Sequence, residues 1–228
     1  NTLIRPAVAN IDHLAVVLAA TDPDPDLLLV DKLLVTAERT RISPLLILNK
    51  IDRTGQEVID ALRKEYRPAG YPVYCVSGKF GIGMEELSRA MEGITTLAGQ
   101  SGVGKSSIIN RLRPDADLEV GNISEKIKRG KNTTRKVELI PLPYGGMIVD
   151  TPGFSQMDLP DFDPAELKDC YPEFRVRQTE CRFHGCLHIT EPGCAVRRGV
   201  EEGEISEGRY DRYRKLVEDR KGNRRNAW

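Results

Sequence analysis

A glycine-rich stretch in the middle of the chain, Gly99–Leu112 (GQSGVGKSSIINRL), limits the possible folds more than any other feature. Gly99 to Ser106 fits G-x-x-x-x-G-K-[ST], a loop whose glycines let backbone N–H groups turn inward around phosphate oxygens. Its flanks agree. Ile94–Ala98 (ITTLA) reads as a strand, and Lys105–Leu112 as a helix opening on the loop, where a helix N-terminus attracts phosphate. In this pattern Lys105 reaches the β- and γ-phosphates and Ser106 holds Mg2+. Gly99, Gln100, Ser101, Gly102, Val103, Gly104 and Ser107 make up the rest of the cradle. A chance glycine-rich turn would not be expected to have a strand before it and a helix after it. Such a loop normally follows the first strand of an α/β nucleotide-binding domain, yet nearly a hundred residues precede it here.

Those preceding residues carry the signal for the base. The apolar run Leu45–Leu48 ends in Asn49-Lys50-Ile51-Asp52, an N-K-x-D pattern. Asp52 is suited to accept two hydrogen bonds, from the N1–H and N2–H2 of guanine. Adenine offers neither donor, and leaving a buried carboxylate unpaired can reject the wrong partner by roughly 10⁴-fold. Lys50 would lay its stem along the nucleotide, and Asn49 would brace the loops. A second role for Asp52, capping the helix that follows, is compatible with the first. Ser77-Gly78-Lys79 resembles the S-A-K loop that follows the last strand of GTP-binding domains, with the Gly78 N–H expected to meet guanine O6. Val149–Gly153 (VDTPG) supplies D-x-x-G, in which Asp150 would hold Mg2+ through a water and Gly153 would sense the γ-phosphate.

In ordinary GTPases the order is P-loop, D-x-x-G, N-K-x-D, S-A-K. Here it is N-K-x-D, S-G-K, P-loop, D-x-x-G: the cycle is kept and its starting point has moved. The chain therefore reads as a circularly permuted P-loop GTPase of the α/β class with a doubly wound sheet. In such a sheet, strand ends meet at one edge whatever their order in the chain. Six apolar stretches read as strands: LAVVLAA, PLLILN, YPVYCV, ITTLAG, KVELIPL and GMIVD. Helical patterns lie near Pro23–Arg39, Gly55–Tyr66, Met84–Met91 and Lys105–Leu112, with none between the last two strands.

The cysteines split into two groups. Cys75 lies in an apolar strand and reads as core, and Cys170 has no evident partner. Cys181, Cys186 and Cys194 crowd with two histidines in CRFHGCLHITEPGC. Three thiolates and one imidazole make a closed, structural zinc site, with His184 and His188 competing for the fourth place. The surrounding segment reads as too small to build a core of its own. Metal binding would then supply most of its folding energy, on the order of 10 kcal/mol.

LIRPAVANIDHL, GQSGVGKSSIINRL, VELIPLP, DTPGFS, the motif order and the Cys/His cluster together resemble the ribosome-small-subunit-dependent GTPases of the RsgA/YjeQ type. The resemblance covers essentially the whole chain. It implies a GTPase acting in late maturation of the small (30S) ribosomal subunit, stimulated by the subunit and contacting its 16S rRNA. It favours His188 as the fourth zinc ligand beside Cys181, Cys186 and Cys194. The family carries an N-terminal OB-fold, so residues 1–12 are expected to be the linker from that domain. Residues 13–157 would be the GTPase domain and 158–228 a small helical zinc-binding domain. The family's first switch usually reads G-[RK]-H-T-T. Here it is Gly130-Lys131-Asn132-Thr133-Thr134, so Asn132 replaces a candidate catalytic His. Asn132 can orient a water but carries no proton. Thr134, in preference to Thr133, would ligate Mg2+ with Ser106 and Asp150. Phe154 stands where many GTPases have a water-orienting Gln, so unaided hydrolysis should be slow and a partner in trans should raise it. The second switch runs from Gly153 straight into the zinc domain, which suggests a nucleotide-controlled clamp.

Charge narrows the partners less. The 34 basic and 34 acidic residues balance, so any RNA-binding surface must be local. Ser124–Lys136 and Gly208–Trp228 are basic runs that fit either an RNA contact or a solvated face. No apolar run approaches about 18 residues, so no membrane span is expected. A cytoplasmic monomer is the expectation. An ATP-using enzyme is disfavoured by Asn49 and Asp52. A GTP-binding switch whose protein partner docks on the zinc domain is the alternative reading.

Overall fold

The computed structural model describes residues 10–113, 138–150 and 163–225. Six strands form one sheet: β1 (His13–Ala19), β2 (Ser43–Asn49), β3 (Val73–Cys75), β4 (Ile94–Ala98), β5 (Glu138–Pro141) and β6 (Met147–Asp150). Their order is β3-β2-β1-β4-β6-β5, so the direction of winding reverses between β1 and β4. All neighbours are parallel except β5, which runs antiparallel to β6 at the edge. The two join through a tight turn instead of a helix. Gly146 is required in it: at φ +79 an added Cβ would lie 2.0 Å from the Met91 carbonyl.

β1 is central, and six of its seven residues are buried, the near-continuous apolar run of a strand covered on both faces. Alternate side chains serve different layers. Ala15, Val17 and Ala19 pack with Met84 and Leu87 of α3 (Met84–Ala90) and with Ile108 and Ile109 of α4 (Lys105–Leu112). Leu14, Val16 and Leu18 pack with Val30, Leu33 and Leu34 of α1 (Leu27–Thr40) and with Ile59 and Tyr66 of α2 (Gln56–Tyr66). The start of α1 falls later than its expected position near Pro23. Asp26 is the N-cap, and its carboxylate accepts from Leu29 N at 3.0 Å. Cys75, expected in the core, is only half-buried because β3 is an edge strand.

Four more helices follow: α5 (Pro164–Leu167), α6 (Pro172–Arg177), α7 (Ala195–Glu201) and α8 (Glu207–Arg225). They enclose a third core of Leu167, Tyr171, Phe174, Val196, Ile205, Tyr213, Leu216 and Val217. Phe174 stacks on Tyr171 with centroids 4.9 Å apart and meets Tyr213 edge-on at 5.0 Å. The expectation that this segment lacks a core is therefore corrected: aromatic packing, worth more than area burial alone, surrounds the cysteines. Val35 of α1 belongs to the same core.

The basic run on α8 also needs correction. Arg209 is fully buried, its guanidinium 2.6 Å from Asp31 on α1 and 2.5 Å from Glu173 on α6. Tyr66, Tyr71 and Tyr171 place their rings about it, at 5.2, 5.8 and 4.9 Å. Arg212 pairs with Asp31 and with Glu65 of α2. These two arginines are interior ion-pair partners and do not belong to a solvated or RNA-facing stripe. No helix among the described residues is long and apolar enough to cross a membrane.

Candidate nucleotide-binding site and metal centre

The carboxyl ends of β1, β2, β3, β4 and β6 lie along one edge of the sheet, around the reversal between β1 and β4, where open α/β sheets bind ligands. The glycine-rich loop after β4 has the expected backbone. Gly99 adopts φ +143, and a Cβ there would lie 2.1 Å from the Val17 carbonyl. Gly104 adopts φ +96, and a Cβ would lie 2.3 Å from Asn49 Nδ2. No other residue fits at either position. Lys105 Nζ donates to the carbonyls of Gly99 and Gln100 at 2.8 and 2.9 Å, so the cation lies inside the loop. Val103 is buried beneath it, Ser101 and Gly102 are exposed, and Ser106 and Ser107 stand half-buried on the first turn of α4.

Asn49 ties three loops together. It is 2% exposed; its Nδ2 donates to Val103 O at 2.8 Å and its Oδ1 accepts from Gly78 N at 3.0 Å. The Gly78 N–H expected to meet guanine O6 here donates to Asn49 Oδ1. Asp52 lies in a short 3-10 turn (Ile51–Arg53) and accepts from Ser77 Oγ at 2.5 Å. Ser77 is buried and its hydroxyl oxygen also accepts from Phe80 N at 3.2 Å. Asp52 is not a helix cap: α2 begins after Gly55, with no side-chain cap. Lys50 adopts φ +64, and its ammonium donates to the Asp22 carbonyl. Lys79 stands 5.0 Å above the Phe80 ring, a cation–π contact. Asp150 ends β6. Asn132, Thr134, Gly153 and Phe154 lie outside the described residues.

The second site is in the third core. The ligand atoms of Cys181, Cys186, His188 and Cys194 all lie within 4.8 Å of one another. Cys181 Sγ and Cys194 Sγ are 4.0 Å apart, too far for a disulfide but close to the ~3.8 Å between sulfurs of a tetrahedral zinc site. His188 Nδ1 faces both, at 3.6 Å from Cys181 Sγ and 3.3 Å from Cys194 Sγ. His184, its rival in the sequence, is exposed and outside the cluster. Burial, helped by the Lys168 charge, lowers the His188 pKa to about 4 and keeps the ring neutral, as a ligand must be. Burial also pushes the Cys186 thiol up to about 12, so only a bound cation would make it a thiolate near neutral pH.

Three residues that hold this loop were not read from the sequence. Tyr210 and Tyr213 on α8 donate to the carbonyls of His188 and Leu187 at 2.6 and 2.7 Å. Glu191 accepts from the N–H groups of Leu187, Ile189 and Thr190 at 2.8, 2.9 and 3.0 Å. Its partial burial works against the charge, but these backbone donors outweigh that and hold its pKa down at about 2. A Glu three residues after the ligand His was the available signal.

A family model described as RsgA GTPase matches residues 1–160. The small ribosomal subunit biogenesis GTPase RsgA of Agathobacter rectalis is 48% identical over 222 residues, covering 97% of this chain and 74% of its own. Its counterpart in Ruminiclostridium cellulolyticum is 47% identical over 215 residues, covering 94% and 70%. Among solved structures, YjeQ from Thermotoga maritima superimposes with a TM-score of 0.81 at 36% identity, over 94% of this chain and 73% of that one. YloQ, described as a circularly permuted GTPase, gives 0.76 at 32% identity, over 94% and 69%.

Proposed function

The chain belongs to the RsgA GTPase family, and from that premise we propose how its residues carry out the work. It is a GTP hydrolase that acts in biogenesis of the small ribosomal subunit. Asp52, held by Ser77, reads the N1–H and N2–H2 edge of guanine. The cradle of Gly99–Ser107 receives the phosphates, and Lys105 leaves its carbonyl partners for the β- and γ-oxygens. Ser106, Thr134 and Asp150 would hold Mg2+, which would supply positive charge against that developing on those oxygens. Gly153 senses the γ-phosphate, and Asn132 orients the attacking water. Residues 13–157 form the GTPase domain and 158–228 the zinc-binding domain, with zinc on Cys181, Cys186, His188 and Cys194. The protein works as a cytoplasmic monomer, contacts 16S rRNA, and is stimulated by the subunit.

The observation that carries this reading is the double hydrogen bond of Asn49. It joins the phosphate loop to the S-G-K loop while Ser77 joins that loop to Asp52. Base-reading and phosphate-binding groups from three distant parts of the chain thus form one preorganised site. The test is GTP turnover with and without purified small subunits. Turnover should be slow alone and rise by roughly 10³-fold or more with subunits. A rate indifferent to subunits would favour the switch with a protein partner on the zinc domain.

A further inference from the structure

Two residues of the base-reading loop reach across to the same place. Lys50 donates its ammonium to the main-chain carbonyl of Asp22, and Arg53 Nη1 lies 2.8 Å from Asp22 Oδ2. Asp22 sits in the turn between β1 and α1, outside every motif. It adopts φ +48, a left-handed conformation that Asp and Asn tolerate better than other side chains. The same turn meets the loop after β2 again through Ala20 N, which donates to Asn49 O at 2.8 Å. On its other side it meets the phosphate loop, where a Cβ placed on Gly102 would lie 3.7 Å from Pro23 Cδ.

We propose that Asp22 is a positioning residue for guanine-nucleotide binding. The inference rests on the guanine reading of Asn49–Asp52. Its carbonyl fixes the far end of Lys50, so the four-carbon stem is already ordered when a nucleotide slides along it. Its carboxylate fixes Arg53, and with it the three-residue turn that carries Asp52. Ser77 steadies Asp52 from one side; the Asp22–Arg53 pair steadies its backbone from the other. Ordering a lysine stem in advance removes a cost that binding would otherwise carry. The pair is exposed, the side chains of Arg53 and Asp22 retaining 47% and 78% of their accessible surface, so the effect is modest in size.

The test measures GDP dissociation constants, KM and kcat for GTP, and melting temperature in the whole chain. Asp22→Ala and Arg53→Ala should each raise the GDP dissociation constant and the GTP KM about two- to fivefold, with kcat and melting temperature unchanged. The double variant should bind no worse than the weaker single variant. Asp22→Asn keeps the backbone preference but loses the charge, and should fall between wild type and Asp22→Ala. Asp22→Ala keeps the main-chain carbonyl that Lys50 meets, so its effect should add to that of Lys50→Ala. Unchanged affinity, full additivity of Asp22→Ala with Arg53→Ala, or a lowered melting temperature with normal affinity would overturn the proposal. Asp52→Asn is measured beside them. If it loses GDP while the Asp22 variants bind normally, only this inference fails; if it binds GDP as wild type does, the guanine reading fails with it.

Discussion

Asn49 shows how one amide can set the geometry of a site that it does not need to touch chemically. Both of its polar atoms are used on the backbone of other loops, at Val103 and Gly78. The carboxylate of Asp52 is more directly testable. Asp52→Asn places a donor where guanine also presents a donor, so GTP affinity should drop and xanthine-nucleotide affinity should rise. Titration with both nucleotides checks this, and unchanged preference would remove Asp52 from base selection. The role proposed for Asn132 is tested by a second substitution. If it orients water, Asn132→Ala should slow single-turnover hydrolysis about 10- to 100-fold with little change in binding, as for a contact made in the transition state. Wild-type rates in the presence of subunits would mean that the subunit supplies the arrangement instead.

Glu191 anchors the loop between α6 and α7 by accepting three backbone N–H groups. Glu191→Gln leaves one oxygen where two now accept backbone donors. The variant should melt a few degrees lower than wild type at neutral pH, the size of about 1 kcal/mol in a chain of this length. Because the folded pKa lies near 2, below the ordinary 4.5, the carboxylate's contribution is complete above about pH 4.5 and fades as pH falls toward 2. The difference between the two proteins should narrow over that window in acid titrations followed by circular dichroism. The elements themselves were unevenly legible in the sequence. The central strands were the most readable, because a parallel strand buried on both faces leaves an unbroken apolar run, as in HLAVVLA. The first four helices were readable to within a few residues. α5 and α6, of four and six residues, span too few turns to show a period. The N-K-x-D, P-loop and Cys/His motifs were visible through their spacing. The clamp at Asp22, the tyrosines behind His188 and the pairing of Arg209 did not, because each depends on a partner far away in sequence.

At the scale of the molecule, the GTPase sheet and the C-terminal helices are joined through charge. Taking an arginine and two carboxylates out of water costs several kcal/mol per ion, which close pairing must offset. Burial pulls the Asp31 carboxyl upward, while Arg209 and Arg212 oppose it. Arg209→Met should therefore cost about 3–5 kcal/mol in urea unfolding, because Asp31 and Glu173 lose a buried partner. Replacing Arg209, Asp31 and Glu173 together by apolar residues of similar size should cost less. If the single variant proved as stable as wild type, the network would be shown to contribute nothing. The same contact bears on how the protein is made. Asp31 and Arg209 are 178 residues apart. During synthesis at roughly 5–20 residues per second, α1 emerges many seconds before the cation that it must enclose. Until then its carboxyl faces water or a proton, and Val35 beside it has no aromatic core to enter. The nascent sheet can close around β4 long before, but its outer helical layer stays unsealed until α8 leaves the exit tunnel.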